Sequence, residues 1–233
     1  MKFIVCVKQV PDTSGKVAVK ADGTMDRSSM AAITNPDDRN AVEAALTLKD
    51  QHPEARVVVI SMGPPPAAGM LRELLAMGCD EAVLISGREV GGDTAQVGPQ
   101  IAEKLGLPQV TYAADIRKEG RTLTVRRMLE DGYMNIQVST PCLITCIKEL
   151  NTPRYMTVKG ILECDQKPYR VLDYAALKDE PLIEPDTIGL KGSPTNVYKS
   201  FSPPVKGAGV LLEGSPKEAV AQLFAALEKQ HMI

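Results

Sequence analysis

Continuous apolar runs mark the first part of the chain. They occupy residues 3–7 (FIVCV), 56–60 (RVVVI) and 82–85 (AVLI), and none of them alternates with polar positions. Such runs are typical of parallel strands that are covered on both faces. Apolar positions at helical spacing fill the two intervals, in residues 35–50 and 65–78. Strands that alternate with helices predict right-handed crossovers and a parallel, doubly wound sheet.

Each of the two predicted helices has an apolar stripe. Asn35 is placed to cap the first helix, and Pro36 then takes its first helical position. In the first helix Val42, Ala45, Leu46 and Lys49 stand at helical spacing, and in the second the apolar stripe is Met70, Leu71, Leu74 and Leu75.

After residue 106 the pattern changes to period two. Residues 109–128 and 135–150 alternate around the turns at 118–120 and 131–132, which predicts antiparallel hairpins added to the sheet. From about residue 169 to 206 the chain is rich in Pro, Gly, Ser and Lys, and we expect an arm that packs on another surface.

The chain closes with a helix predicted over residues 215–230. Ser215 is its N-cap, Pro216 takes the first helical position, and Glu218 completes a capping box. We therefore predict an α/β domain over residues 1–190 and a C-terminal arm with its helix over residues 191–233.

The composition is that of an ordinary soluble protein, with 44% hydrophobic and 24% charged residues. A net charge of −2 is no reason to expect nucleic acid or a membrane surface as a partner. The longest uncharged run, residues 133–147, contains Pro141 and is too short to span a bilayer. The N-terminus reads as a buried strand rather than a signal peptide, so we expect a cytoplasmic protein.

Cysteine and histidine spacing predicts neither a metal site nor a catalytic triad. The five cysteines form no Cys-x-x-Cys pair, and we expect them to be reduced and buried. His52 stands beside a helix end and His231 in the tail, so no histidine base and no catalytic residue is predicted. The cysteines are Cys6, Cys79, Cys142, Cys146 and Cys164.

The stretch GGDTAQVGPQIAEKL, residues 91–105, predicts a helix whose N-terminal amides are unpaired. Proline has no N–H, so Pro99 fits only within the first four helical positions, which places the N-cap no earlier than Ala95. The amides of Gln96, Val97 and Gly98 would then point outward, at the positive end of the helix dipole. The preceding glycines allow a close backbone approach, so the stretch suits a phosphate. The alternative is an ordinary loop with a polar cap.

Two other strand ends would meet this loop, at residues 6–10 and 61–66, because ligands of parallel sheets lie outside the carboxyl ends of the strands. Asp37 and Asp38 in the first turn of the first helix would repel a phosphate, so that turn more plausibly faces a sugar or a base. Met62, followed by Gly63, is placed to lie against an adenine ring, and plain core packing is the alternative.

Several blocks of the chain, in this order, resemble the β subunit of an electron transfer flavoprotein. They are VCVKQVPDT (5–13), NPDD…AVEAAL (35–46), MGPP…LRELLAMGCDEAVLIS (62–86), GDTAQVGPQIAEKLGLPQVTY (92–112), PCLIT (141–145), NTPRYM (151–156) and GLKGSPTNVYKSF (189–201). The resemblance implies a Rossmann-like α/β fold of the adenine-nucleotide alpha hydrolase type. It also implies an obligate α subunit that carries its own FAD, contacts the C-terminal arm, and forms a heterodimer with this chain.

The resemblance also assigns the nucleotide site. Its adenosine end would rest on Cys6, Val7, Lys8, Asn35, Asp38 and Met62, with Gly63 beside it, and its phosphates on Asp93, Thr94, Ala95, Gln96 and Val97. The second set agrees with the helix-front argument made above from the residues.

The bound nucleotide would be AMP or, in the electron-bifurcating branch of the family, a second FAD. The stretches GDTAQVGPQ and GSPTNVYKSF resemble the bifurcating branch more closely. In that branch the β-bound FAD takes hydride from NADH or NADPH, then sends one electron to the α-subunit flavin and one to ferredoxin or flavodoxin. The chain would then be an NAD(P)H-oxidising electron carrier subunit, with Ser193, Pro194, Thr195 and Val197 near the flavin. The alternative for that segment is a solvated loop docked on the partner.

The chain departs from the family pattern in one place. Family members have a further strand, helix and strand of about 30 residues before the Gly-Asp-Thr loop, where this chain runs directly through ISGREVGGDTAQ, so a unit is missing near residues 90–92. Either the unit is deleted, or the sequence as recorded omits it. We favour the second, because losing a strand would open the core beside the ligand. The departure weakens the choice of FAD over AMP.

Residues 177–190 correspond to the family's partner-recognition loop. Its apolar side chains stand among acids and prolines and suit insertion into an acyl-CoA or other flavin dehydrogenase. Covering the chain's own core is the alternative. They are Leu182, Ile183, Ile188 and Leu190.

Two other functions stay open on the sequence. The chain is poor in aromatic rings, so the partner would have to supply much of the wall around a flavin. A non-bifurcating subunit would hold AMP structurally and leave the redox work to its partner's FAD. A stand-alone adenine-nucleotide-binding module is the other alternative, and the long arm argues against it.

Overall fold

The computed structural model describes residues 1–12, 31–86, 95–188, 192, 207 and 209–232. The chain separates into two compact units, one of Met1–Val19 with Met25–Asn196 and one of Lys20–Thr24 with Val197–Ile233. The strands are β1 (Lys2–Cys6), β2 (Gln9–Pro11), β3 (Ala32–Thr34), β4 (Arg56–Gly63), β5 (Glu81–Ser86), β6 (Gln109–Glu119), β7 (Thr122–Met128), β8 (Tyr133–Ser139), β9 (Leu143–Cys146) and β10 (Tyr169–Leu172). The α-helices are α1 (Pro36–Gln51), α2 (Ala67–Met77), α3 (Val97–Leu105), α4 (Val158–Glu163), α5 (Tyr174–Leu177) and α6 (Pro216–Lys229).

The predicted parallel sheet is confirmed, with strand order β1-β4-β5-β10. All three apolar runs are strands, and helices α1 and α2 form the crossovers between them. The apolar stripes of both helices are buried, and Leu46, Leu71 and Leu74 are among the largest fully buried side chains. Lys49, on the same face of α1, makes polar contacts instead. Its ammonium donates to Asp80 Oδ1 at 2.6 Å and to the Gly78 carbonyl.

The first strand of this sheet has an open edge. Among the residues described, β1 pairs with β4 alone, and Ile4 at its centre is 60% exposed. The neighbouring Val5 is buried in the core. The unpaired edge leaves backbone N–H and C=O groups of β1 open to pairing with another strand.

The fourth strand of the sheet, β10, lies within the segment that the sequence predicted to be an arm. That prediction was wrong for residues 169–172, which pair in parallel with β5. Lys167 holds the segment in place by donating from Nζ to the carbonyls of Leu75 and Cys79 at the end of α2, at 2.7 and 2.8 Å. Arg170 pairs with Glu81 at 2.7 Å. These contacts join residues about 90 positions apart, so local periodicity did not reveal the strand.

The predicted hairpins form, with the order β8-β7-β6 and turns where the sequence placed them. They do not extend the first sheet. Together with β9, which runs parallel to β6, they make a second sheet with its own small core. That core contains Val110, Ala113, Leu123, Val125 and Val138.

Helix α1 fastens the segment after β9 to the first sheet. Asn40 is buried on α1 and donates from its amide to the Asn151 carbonyl at 2.6 Å, while Asn151 donates back to the Asn40 carbonyl. Arg154 pairs with Glu43 at 2.9 Å and with Asp50 at 2.7 Å. Burial alone would raise the pKa of Glu43, but hydrogen bonds from Arg154 outweigh it and lower that pKa.

The last helix, α6, begins as predicted. The Ser215 hydroxyl accepts from the Glu218 amide, and the Glu218 carboxylate accepts from the Ser215 amide, which completes the capping box. No helix within the described part of the chain is long and apolar enough to cross a bilayer.

Candidate functional site

Most of the residues predicted to hold the adenosine lie where β1 ends and α1 begins. The Lys8 amide donates to Asp38 Oδ2 at 2.7 Å, and the Asn35 amide donates to the Lys8 carbonyl at 2.9 Å. Asn35 also caps α1, as predicted, by accepting from the Asp37 amide. These hydrogen bonds hold the end of the strand against the first turn of the helix.

The other members of this set divide into exposed and buried residues. Cys6 is exposed, and Met62, near the carboxyl end of β4, is 42% exposed, so each offers surface to a ligand. Val7 and Gly63 are buried, and the Val7 amide already donates to the Ile60 carbonyl. The exposure of Met62 argues against its being a plain core residue, whereas Val7 and Gly63 contribute backbone and packing.

Asp38 is a buried carboxyl at this junction. Burial, followed by the nearby Asp37 carboxylate, raises the pKa of Asp38 to about 6, although the Lys8 amide opposes the shift. Burial and then Asp38 raise the pKa of Cys146, at the end of β9, to about 12. The same two causes raise the pKa of the Cys6 thiol, even though Cys6 as a whole residue is exposed. Both thiols therefore lie near Asp38 and stay protonated.

The front of helix α3 is open. The helix begins at Val97 with Gln96 as its N-cap, which places Pro99 at the third helical position, within the range that the sequence allowed. Ala95 has a φ of 54° and both Gln96 and Val97 are exposed. Among the described residues, none accepts a hydrogen bond from the Gln96, Val97 or Gly98 amides. These N–H groups can therefore bind an anion, and the positive end of the helix dipole favours one.

Two residues that the sequence analysis did not assign to the site, Thr145 and Tyr112, connect this helix front to β6. A Cβ atom on Gly98 would stand 2.7 Å from Thr145 Cγ2, so α3 approaches β9 as closely as a glycine permits. Thr145 Oγ1 in turn accepts from the Tyr112 amide at 3.0 Å. Tyr112 has a φ of 58°, a left-handed conformation that costs a non-glycine residue about 1–2 kcal/mol.

The end of β9 is the point where these parts come together. Thr145 contacts the front of α3, and the next residue, Cys146, lies near Asp38 at the start of α1. The structure therefore joins the predicted adenosine and phosphate sets through Thr145 and Cys146. Thr145 ends the block PCLIT, which the sequence analysis used only for strand pattern and resemblance, and Cys146 follows it. Their role depends on pairing across more than 30 residues, which no local pattern indicates.

Some predicted residues lie outside the described part of the chain. They are Asp93 and Thr94 of the phosphate set, Ser193, Pro194, Thr195 and Val197 of the flavin set, and Leu190 of the partner-recognition loop. In the rest of that loop, Leu182 is 94% exposed and Ile188 is also exposed, while Ile183 is half-buried. Leu182 and Ile188 therefore do not cover the core of the chain.

All five cysteines are free thiols, but the expectation that they are buried holds only for Cys79 and Cys164. Cys142 and Cys146 are half-buried, and Cys6 is exposed because β1 ends at the open site. Within the described residues, no three His, Cys, Asp or Glu side chains are grouped so that they could hold a metal ion.

Comparison with known proteins points to one family. The chain matches the family model described as the Electron transfer flavoprotein domain over residues 22–97 and 87–177. It is 58% identical to the acryloyl-CoA reductase electron transfer subunit gamma of Anaerotignum propionicum. It is 43% identical both to the caffeyl-CoA reductase-Etf complex subunit CarD of Acetobacterium woodii and to the electron transfer flavoprotein subunit beta of Clostridium acetobutylicum. Each alignment covers 100% of this chain and 100% of the relative.

The same comparison bears on the length of the chain, for which the sequence analysis expects a unit to be missing near residues 90–92. The alignment with the Anaerotignum protein runs over 268 positions, whereas this chain has 233 residues, so about 35 positions have no counterpart here. The two parts of the family match overlap at residues 87–97. The match, the three relatives and the parallel sheet agree, and the chain belongs to the electron transfer flavoprotein family, among the β subunits of these flavin-linked electron carriers.

Proposed function

We propose that this chain is the nucleotide-holding β half of a heterodimeric electron transfer flavoprotein. The observation that carries the proposal is the convergence of three features: the open amides of residues 96–98, the exposed Cys6 and Met62, and the end of β9 that connects them. Parallel α/β sheets bind ligands at this position, outside the carboxyl ends of their strands.

The charge pattern of the site orients the ligand. The first turn of α3 contains no acidic residue, whereas the first turn of α1 contains Asp37 and Asp38. Phosphates therefore belong at α3, and an uncharged ribose or base belongs beside α1. A ligand placed in this way is a nucleotide with its base near Met62.

FAD is the nucleotide that we favour for this chain. The acryloyl-CoA reductase electron transfer subunit gamma and the caffeyl-CoA reductase-Etf complex subunit CarD both align with this chain over their whole length, and this likeness supports an electron-carrying β site. The residues present fit its adenosine and phosphates, and FAD when bound would supply the redox chemistry. NADH or NADPH would be the donor, and ferredoxin or flavodoxin one acceptor. AMP with a purely structural role is the alternative.

The partners that we propose follow from the same relatives. Each of them is named as a subunit or a component of a complex, which favours a subunit over a stand-alone module. We propose an α subunit that carries its own FAD, and an acyl-CoA reductase or dehydrogenase that contacts the exposed Leu182 and Ile188.

The test is the identity of the bound nucleotides. The chain is produced together with its α subunit, the heterodimer is denatured with acid, and the released nucleotides are identified by mass spectrometry and counted against protein. We expect two FAD molecules for each heterodimer. One FAD with one AMP would support the structural alternative, and a chain that releases no adenine nucleotide would contradict the proposed function.

A further inference from the structure

Strand β8 is the open edge of the second sheet. The sheet has the order β8-β7-β6-β9, and among the described residues β8 pairs with β7 alone. The opposite edge, β9, lies against the front of α3 at Leu143 and Thr145. An edge strand directs about half of its backbone N–H and C=O groups away from its neighbour, so β8 offers these groups to a further strand.

This strand lacks the features that keep sheet edges from pairing with other chains. Its sequence, YMNIQVS, contains no charged residue and no proline. Its seven pairs with β7 run in one register, without a bulge. Tyr133 and Met134 are 59% and 50% exposed. Edge strands that stay unpaired in solution are usually blunted by lysine, by proline or by a bulge, so β8 has the character of an edge that another strand covers.

A second copy of β8 is complementary to the first in one antiparallel register. When the two copies of Ile136 stand opposite each other, all seven residues of each strand are paired. Because side chains alternate between the two faces of a strand, apolar residues then meet apolar ones on one face and polar residues meet polar ones on the other. Besides the central pair, the pairs are Met134 with Val138, Asn135 with Gln137, and Tyr133 with Ser139.

The charges at the two ends of β8 also suit this register. The turn before β8 contains the exposed acids Glu130 and Asp131. Arg121 is exposed beside the other end, where its Nη2 donates to the Thr140 carbonyl at 3.1 Å. Antiparallel pairing brings the beginning of one strand to the end of the other, so the acids of each copy approach the arginine of its partner. The charge pattern is therefore complementary to itself.

We propose that β8 is a docking edge for a second copy of this chain, and that two chains join through it about a two-fold axis. Their second sheets then form one continuous sheet, through an interface that uses the same residues on both sides. A single strand with its flanking charges makes a small interface, so the dimer is reversible. When each chain carries its α subunit, the same contact joins two heterodimers.

Two matched double variants test the register. Asn135→Glu with Gln137→Glu places carboxylates opposite each other across the two-fold axis, whereas Asn135→Glu with Gln137→Lys places a carboxylate opposite an ammonium. Within one chain, both variants put the same new carboxylate opposite Arg126 on β7, so they differ only in the sign of the charge at position 137. The first variant is therefore expected to repel its copy and the second to attract it.

Sedimentation velocity measures the association of the full chain over a range of concentrations. We expect the unaltered chain to approach twice its mass of 25.1 kDa as its concentration rises. Relative to the variant with Gln137→Lys, the variant with Gln137→Glu should dimerise about tenfold more weakly or less still. Circular dichroism checks that both variants fold, and the same series is repeated with the α subunit bound.

A second readout does not depend on these variants. In Ile136→Cys the two new thiols would stand opposite each other on the axis, at a distance that a disulfide spans. Mild oxidation should give a covalent dimer of Ile136→Cys and none of the unaltered chain.

Three results would overturn the proposal: an unaltered chain that stays monomeric at every concentration, equal association of the two double variants, or no covalent dimer of Ile136→Cys. If the variant with Gln137→Glu fails to bind the α subunit while the unaltered chain alone is monomeric, the α subunit covers β8 in place of a second copy.

Discussion

Asp38 shows how one residue can make the stability of a fold depend on pH. Its carboxyl is partly buried between the end of β1 and the first turn of α1, and its pKa rises to about 6 because of that burial and the Asp37 charge. Folding therefore favours the protonated form. Its contribution to stability is complete below the unfolded pKa of about 4 and is lost as the pH rises through about 6.

We predict that Asp38→Asn flattens the pH dependence of stability. The amide oxygen can still accept from the Lys8 amide, and the variant has no charge to bury. Between pH 4 and pH 7 the free energy of unfolding of the unaltered chain should fall by about 2–3 kcal/mol relative to the variant. Urea unfolding, followed by circular dichroism at several pH values in this range, measures the free energy of unfolding. Asp131→Asn, in the exposed loop before β8, is the control, and parallel profiles for the unaltered chain and Asp38→Asn would contradict the prediction.

At the scale of elements, the site depends on how closely α3 packs on β9. The close approach at Gly98 leaves no room for a methyl group, since both Thr145 Cγ2 and Leu143 Cδ2 lie within 3.3 Å of its ideal Cβ position. Threonine is branched at Cβ and cannot rotate away freely. The helix must therefore shift if the glycine is replaced.

Gly98→Ala should displace the front of α3 and weaken nucleotide binding by about tenfold, because the amides would no longer meet the phosphates together. The overpacking should cost about 1–3 kcal/mol, partly offset by the better helix propensity of alanine. Thr145→Ser removes Cγ2 and keeps Oγ1 for the Tyr112 amide. The double variant Gly98→Ala with Thr145→Ser should therefore recover most of the affinity, measured by calorimetry with FAD and AMP. A double variant as weak as Gly98→Ala would show that the contact is not the cause.

At the scale of the whole molecule, the chain lacks about 35 positions that the Anaerotignum relative has. In the described ranges the outer edge of β1 pairs with no strand, and Ile4 is exposed there. An exposed apolar edge promotes association with other chains.

Inserting the additional segment of that relative after Ser86 should stabilise the chain by about 2 kcal/mol or more, since burial of Ile4 alone is worth about that much. Denaturant unfolding measures the gain, and binding of a hydrophobic dye should decrease. A Gly/Ser segment of the same length is the control, because it lengthens the loop without supplying a strand. If the two insertions give the same stability, β1 needs no further strand.

The sequence by itself determined the type and position of most elements and the open front of α3. The spacing of apolar residues distinguishes a strand from a helix over a few neighbouring positions, and Pro99 limits where a helix can begin. Both signals are local in the sequence. The types and approximate positions of β1, β4, β5, α1 and α2 follow from such patterns, although their observed bounds differ from the predicted ones by up to three residues.

Only the tertiary structure decided the rest. The fourth strand β10, the separate second sheet and the role of Thr145 depend on residues far apart in the chain, as the 111 positions between Asn40 and Asn151 illustrate. The pKa of Asp38 and the bulge at Tyr112 have the same origin. Burial of a charge and the close approach of two backbones depend on which surfaces meet in space, and the order of residues along a single segment does not contain that information.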